Sequence, residues 1–176
     1  MRGPLIRLVV LGEVVVGGLF HHLAHAGFDF SGEHAQDEER RDAVDQKEGE
    51  QQSQAKAAGM GMNIDAEEQD RLVISMKVIE AVLSDPSLAG WDGFGVVVQA
   101  YGKRAGQVID WLYALATRLD RKIMVRLVKG AYWDTELKLA QMNGRPDYPL
   151  FTTKPATDLN YLVAAEALVE AAPALF

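Results

Sequence analysis

The sequence predicts an α/β fold built from parallel βα units, and three observations lead to it. Short apolar runs rich in strand-forming residues recur roughly every 30 residues from Ala55 onward. Between them lie segments whose apolar residues repeat at helical spacing. Each run closes on a polar residue, in turn Asp65, Gln99 and Arg126. A doubly wound sheet and a (β/α)8 barrel both show this rhythm. A whole barrel takes about 250 residues, so the patterned part of this 176-residue chain would supply a partial (β/α)8 barrel, an arc of about three βα units.

The first strand is read in "GMGMNID", ending at Asp65. A helix follows in "AEEQDRLVISMKVIEAVLSD", with Leu72, Met76, Ile79 and Leu83 on one face and acidic residues in its first turn. "DPSLAG" stops it. "GFGVVVQAY" is the second strand, and Ala105, Val108, Leu112, Leu115 and Leu119 mark the next helix. "RKIMVRLVKG" is the third strand, with Lys122 to Val125 buried, and "WDTELKLAQMNG" a shorter helix. "PDYPLFTTKPATD" is a loop, after which Asp158 starts a last apolar helix that Pro173 breaks.

The part before residue 55 is different. Residues 1–27 have Arg2 and Arg7, an apolar run interrupted by Glu13, and Ala24-His25-Ala26, the outline of a secretory signal. Glu13 opposes insertion into a bilayer, and the run is too short to span one. Residues 31–55 are almost wholly polar and cannot bury enough surface to offset their ordering entropy, so a solvated linker or frayed polar helix is expected. Residues 1–54 are therefore set apart as a disordered N-terminal segment, and 55–176 as the folded part. His21 and His25 share a helical spacing, but no carboxylate partner supports a metal site.

Hydrophobic content of 48% and charged content of 24% fit a soluble globular domain. The net charge of −7 opposes general nucleic-acid binding, and the lack of cysteine excludes disulfides and thiolate chemistry. There is no Walker loop, GxGxxG, GxSxG or HExxH pattern.

In a parallel sheet the strand ends carrying Asp65, Gln99 and Arg126 converge on one rim, where ligands bind. Any one of them is equally well a strand-end residue turned to water; all three on one rim are harder to explain so. In "RLVKGAYWD" (126–134), Arg126 and Lys129 supply cations, and Gly130 permits a positive φ or a close backbone approach. A helix N-terminus follows, and Thr152 and Lys154 in "FTTKP" add a hydroxyl and another cation. The set suits a phosphate or an anionic ring. Residue chemistry alone leaves flavin, nucleotide and sugar phosphate open, and Tyr132 and Trp133 equally suit packing.

"MNIDAEEQDRL", "GWDGFGVVVQAYGKRAGQVIDWL", "IMVRLVKGAYWDTELKLAQMNG", "YPLFTTK" and "TDLNYL" resemble, in order, the proline dehydrogenase domain of the bifunctional proline-utilisation flavoenzymes (PutA). The likeness runs from about Ala55 to the C-terminus. It implies a (β/α)8 barrel with FAD at the strand ends. It also implies oxidation of L-proline to Δ1-pyrroline-5-carboxylate, on the way to glutamate, and electron transfer to a membrane quinone. By resemblance, Asp65, Arg126 and Tyr132 are the catalytic residues, with Tyr132 near the substrate carboxylate. Gln99 bonds the flavin, and Arg126 sits by its reactive edge, where a fixed charge favours the electron-rich form. Val128, Lys129, Gly130, Ala131 and Trp133 line the cofactor, while Thr152 and Lys154 match residues near its phosphate and ribose.

The resemblance has gaps. The family's late helix, with the tyrosine and arginine pair that grip the carboxylate, has no counterpart here, nor has a histidine-bearing strand after "PALF" or a lysine-bearing strand before residue 55. Gly102 and Thr153 are minor departures. The chain is therefore expected to be a fragment that neither holds FAD well nor turns over proline alone. A cytoplasmic protein, peripheral at the inner membrane face in its full-length relatives, is implied; export is the weaker alternative. A non-catalytic remnant or interaction module, and another anion-binding α/β enzyme, stay as alternative readings.

Overall fold

The computed structural model describes residues 14–16 and 50–175. The sheet is parallel and four-stranded, in chain order: β1 (Val14–Val16), β2 (Met62–Ile64), β3 (Phe94–Gln99) and β4 (Met124–Val128). The helices are α1 (Leu72–Leu83), α2 (Ala105–Leu119), α3 (Trp133–Met142) and α4 (Lys154–Leu175). Consecutive parallel neighbours with helical crossovers make this an arc of a βα barrel, as the sequence predicts.

Alternation along the strands separates two chemistries. Ile64, Phe94, Val96 and Val98 face α2 and α4, where Ile109, Leu112, Leu115, Ala164 and Leu168 complete a buried apolar cluster; Val125 and Leu127 pack against it. The opposite positions, Asn63 and Asp65, Val97 and Gln99, Arg126 and Val128, form the inner face of the arc.

Several boundaries differ from the sequence reading. Val14–Val16 form a strand that the sequence does not announce, with Val14 opposite Met62. The rest of the signal-like start, the four histidines and the polar linker up to residue 49 lie outside the described residues. Residues 50–57 are helical, and Lys56 anchors them by donating to the carbonyls of Ser87 (2.7 Å) and Ala89 (3.0 Å).

No acidic residue lies in the first turn of α1. Helix formation is delayed because the Gln69 N–H donates to Glu136 instead, and Arg71 closes a turn onto the Glu68 carbonyl at 3.0 Å. The last helix starts at Lys154, four residues before Asp158, and carries Pro155 in its first turn, where a missing N–H has no helical acceptor to lose. Pro173 does not break it. Lys122 and the Ile123 N–H donate to the carbonyls of Pro173 and Leu175, at 3.2 and 2.9 Å, and so satisfy the end of the helix. Finally, β4 is only half-buried: Ile123 is enclosed, Met124 and Val125 are intermediate, and Arg126 is exposed. Among the described residues β4 has a strand on one side only.

Candidate active site

Asp65 follows the last residue of β2 and Gln99 ends β3, but Arg126 stands in the middle of β4 and does not close it as the sequence suggests; the three still share one rim. In the parallel register Ile64 lies opposite Val96, and Val97 opposite Arg126. Asp65 and Arg126 therefore flank Val97 at one level of the inner face, and the guanidinium Nη2 donates to the Asp65 Oδ1 across it. One level higher, Gln99 lies opposite Val128. Its amide is fixed at both ends: Nε2 donates to the Glu67 carbonyl at 2.8 Å, and Oε1 accepts the Ala131 N–H at 3.2 Å.

The segment after β4 closes over this layer. The Val128 carbonyl accepts the Ala100 N–H at 2.8 Å, and the Lys129 carbonyl accepts the Tyr101 N–H at 2.7 Å. Gly130 has φ +132°, and a Cβ there would lie 2.4 Å from Cδ1 of Tyr101. Both reasons for a glycine thus hold at once, although the group it approaches is a protein ring.

The predicted cations all have carboxylate partners. Lys129 and Lys154 donate to opposite oxygens of Asp158, and Arg126 to Asp65. Contacts with the two ammonium groups, Lys129 first, hold the Asp158 carboxyl below its ordinary range, and Asp158 in turn raises Lys129. Tyr132 is partly buried; burial first, then the charges of Glu67 and Glu68, push its phenol up. The Trp133 indole N–H donates to the Phe151 carbonyl at 2.9 Å, and the Phe151 N–H donates to the Tyr101 carbonyl at 2.8 Å. That ties the segment bearing Thr152, which is exposed, to the same rim.

Three residues that sequence reading passed over also belong here. Asp158 was read as a helix start. Glu136 lies within the apolar stripe Trp133-Leu137-Ala140 of α3, and a carboxylate at that spacing was the available signal. Tyr101 closes the "VQAY" run, and its hydroxyl donates to Glu136. Among the described residues no group of histidine and carboxylate side chains could hold a metal ion. None of their helices is long and apolar enough to cross a membrane.

A parallel βα arc whose rim carries a fixed amide, an ion pair and a cationic margin has the layout of a βα-barrel protein, in which ligands bind at that rim. The family follows from comparison: the family model described as Proline dehydrogenase matches residues 26–176, and the chain belongs to that family of oxidoreductases. The match begins upstream of the Ala55 boundary expected from the sequence. The chain is 54% identical over 115 residues to "Bifunctional protein PutA" of Escherichia coli strain K12, covering 65% of this chain and 9% of that protein. It is 53% identical over 113 residues to the protein of the same name from Rhizobium meliloti, covering 64% and 9%.

Two solved structures show the same fold. A variant of Bradyrhizobium japonicum Proline Utilization A superposes with TM-score 0.76 at 52% identity, over 77% of this chain and 14% of the other. Proline utilization A from Bdellovibrio bacteriovorus, inactivated by N-propargylglycine, gives 0.74 at 28% identity, over 78% and 14%. The chain thus spans about a tenth of the length of the curated relatives it matches.

Proposed function

We propose that this rim is the flavin-facing part of a proline dehydrogenase active site, with FAD as cofactor and L-proline as substrate, oxidised to Δ1-pyrroline-5-carboxylate in proline catabolism. One observation carries the reading: Asp65, Gln99, Arg126 and the 128–131 backbone lie together at the carboxyl ends of neighbouring parallel strands.

The residues present suit such a group. Val97 gives an apolar floor between two polar walls, and the Arg126 guanidinium is 41% exposed, free to meet a ring edge. FAD, when bound, supplies the hydride acceptor. Asp65 holds the Arg126 guanidinium in place and leaves a fixed positive charge beside the ring. The Gln99 amide is aimed by the Glu67 carbonyl and the Ala131 N–H, and Val128 and Gly130 continue the backbone wall. Tyr132, kept protonated by burial and neighbouring carboxylates, can donate to the substrate carboxylate. Lys129, Lys154 and Thr152 form a cationic margin for phosphate and ribose groups, with Asp158 holding the two ammonium groups together. Trp133, pinned through its indole N–H, stands beside the ring system.

A quinone acceptor, a cytoplasmic location and peripheral membrane contact complete the reading for the longer relatives. Among the described residues β4 has one free edge, and Arg126 is exposed, so the reading includes weak cofactor binding and no turnover by the chain alone. A second reading, a segment that no longer catalyses, draws on the same open edge.

The test is titration of the 176-residue chain with FAD, followed by quenching of flavin fluorescence. Saturable quenching is expected, weakened about tenfold by Arg126→Met, the loss of one charge-assisted contact. No quenching by the unsubstituted chain, or equal quenching by the variant, overturns the proposal.

A further inference from the structure

We infer that Tyr101 and Glu136 are positioning residues: their buried hydroxyl–carboxylate contact is a strut that sets the Gly130 turn and, through it, the Ala131 N–H aimed at Gln99. The role in cofactor binding rests on the flavin reading above; the geometry of the strut does not.

Glu136 is 4% exposed and Tyr101 is 2% exposed. A buried carboxylate is costly unless its oxygens are bonded. Here Oε1 accepts the Tyr101 hydroxyl, and Oε2 accepts the Gln69 N–H at 3.2 Å. Both oxygens are committed, one to the end of β3 and one to the segment after Asp65. Glu136 therefore links α3 to the two strand ends that build the rim.

The tyrosine ring acts on the next layer. It fills the space where a Gly130 side chain would stand, with the ring carbons 2.4 to 2.7 Å from the position of a Cβ. Its backbone bonds on both sides, N–H to the Lys129 carbonyl at 2.7 Å and carbonyl to the Phe151 N–H at 2.8 Å. A ring so held is a template against which the positive φ of Gly130 is fixed. One residue on, the Ala131 N–H meets Gln99.

Packing alone does not call for these groups. Tyr101 lies outside the main apolar cluster beneath the helices. A phenylalanine and leucine pair would fill the space without burying a charge. What they would lose is a directed bond, which fixes the ring's tilt. Burial raises the tyrosine phenol and the Glu136 carboxyl, in accord with a hydroxyl that stays protonated and donates.

The experiment measures amide exchange at Ala131 by NMR in the full chain, its Tyr101→Phe, Glu136→Ala and Glu136→Gln forms, with α2 core amides as internal reference. Tyr101→Phe and Glu136→Ala should exchange about five- to tenfold faster at Ala131, the loss of one hydrogen bond, with the reference amides unchanged. Glu136→Gln can accept the Gln69 N–H on its one amide oxygen and donate its NH2 to the Tyr101 hydroxyl oxygen, so the ring stays tied and Ala131 should keep its original rate. Unchanged exchange in Tyr101→Phe, parallel acceleration of the reference amides, or a Glu136→Gln form that behaves like Glu136→Ala overturns the strut. FAD titration of the same proteins separates the two proposals: exchange that responds as stated in a chain that takes up no FAD removes the flavin reading and leaves the strut.

Discussion

Arg126 and Asp65 form an ion pair although a whole strand separates them, reaching across β3 over Val97. The pair is partly exposed, at 41% and 34%, so water screens it and its contribution to stability is at most about 1 kcal/mol. Its value is orientation. Asp65→Asn should lower the unfolding free energy from urea titration by no more than that amount, yet weaken FAD quenching several-fold because the guanidinium is no longer held. A large stability loss with unchanged FAD titration would show the pair to be structural.

Acid should act on the two buried or bridged carboxylates in opposite senses. Asp158, depressed by Lys129 and Lys154, adds stability that is present above its ordinary value of 3.8 and lost as pH falls through the lower folded value. Glu136, raised by burial, has the other sign: its contribution is greatest below its ordinary 4.5 and declines as pH rises through that value toward the higher folded one. Denaturation across pH 2 to 7 should show Asp158→Asn flattening the acid limb and Glu136→Gln flattening the limb above 4.5. Identical pH profiles for both variants would contradict the assignment.

Much of this was legible in the sequence, for physical reasons. The strands are runs of Phe, Val, Ile and Leu carrying Asp65, Gln99 and Arg126 at or near their ends, and parallel register brings Asp65 and Arg126 to one level and Gln99 to the next whatever the loops do. The limits were equally physical. Partners across long range cannot be read from spacing, so Asp158 passed for a helix cap when it lies one turn inside α4, facing Lys129. Pro155 marked the true start of that helix. Pro173 reads as a stop because the donors that satisfy the Pro173 and Leu175 carbonyls come from Lys122 and Ile123, 51 and 52 residues earlier in the chain. Glu67 and Glu68 looked like a helix first turn because nothing local announces that Gln69 bonds Glu136.

Gly130 offers a sharper test of the rim's packing. Alanine there must adopt φ +132° and would also place its Cβ 2.4 Å from the Tyr101 ring, with that ring held in place by Glu136. Strain at such a backbone position costs about 1–3 kcal/mol before the clash is added. Gly130→Ala should therefore lower the unfolding free energy by at least about 2 kcal/mol. Gly106→Ala, a helical site with open space around it, should be neutral or slightly stabilising. Equal effects at the two sites would mean that the ring does not constrain the turn.

The outer surface of α4 carries Leu159, Leu162, Val163 and Val169, 64%, 66%, 55% and 74% exposed, and among the described residues β4 has one unpaired edge. Exposed apolar side chains on one helix face and an unpaired strand edge are both routes to association. Sedimentation of the chain should accordingly show mass rising with protein concentration. Leu162→Lys with Val169→Lys puts two charges on that surface without touching Ala164 or Leu168, which face the core. The double variant should sediment closer to a monomer with its unfolding midpoint nearly unchanged. Association that persists undiminished in it would locate the contact elsewhere, first at the β4 edge, where a proline in place of Leu127 would remove one edge N–H.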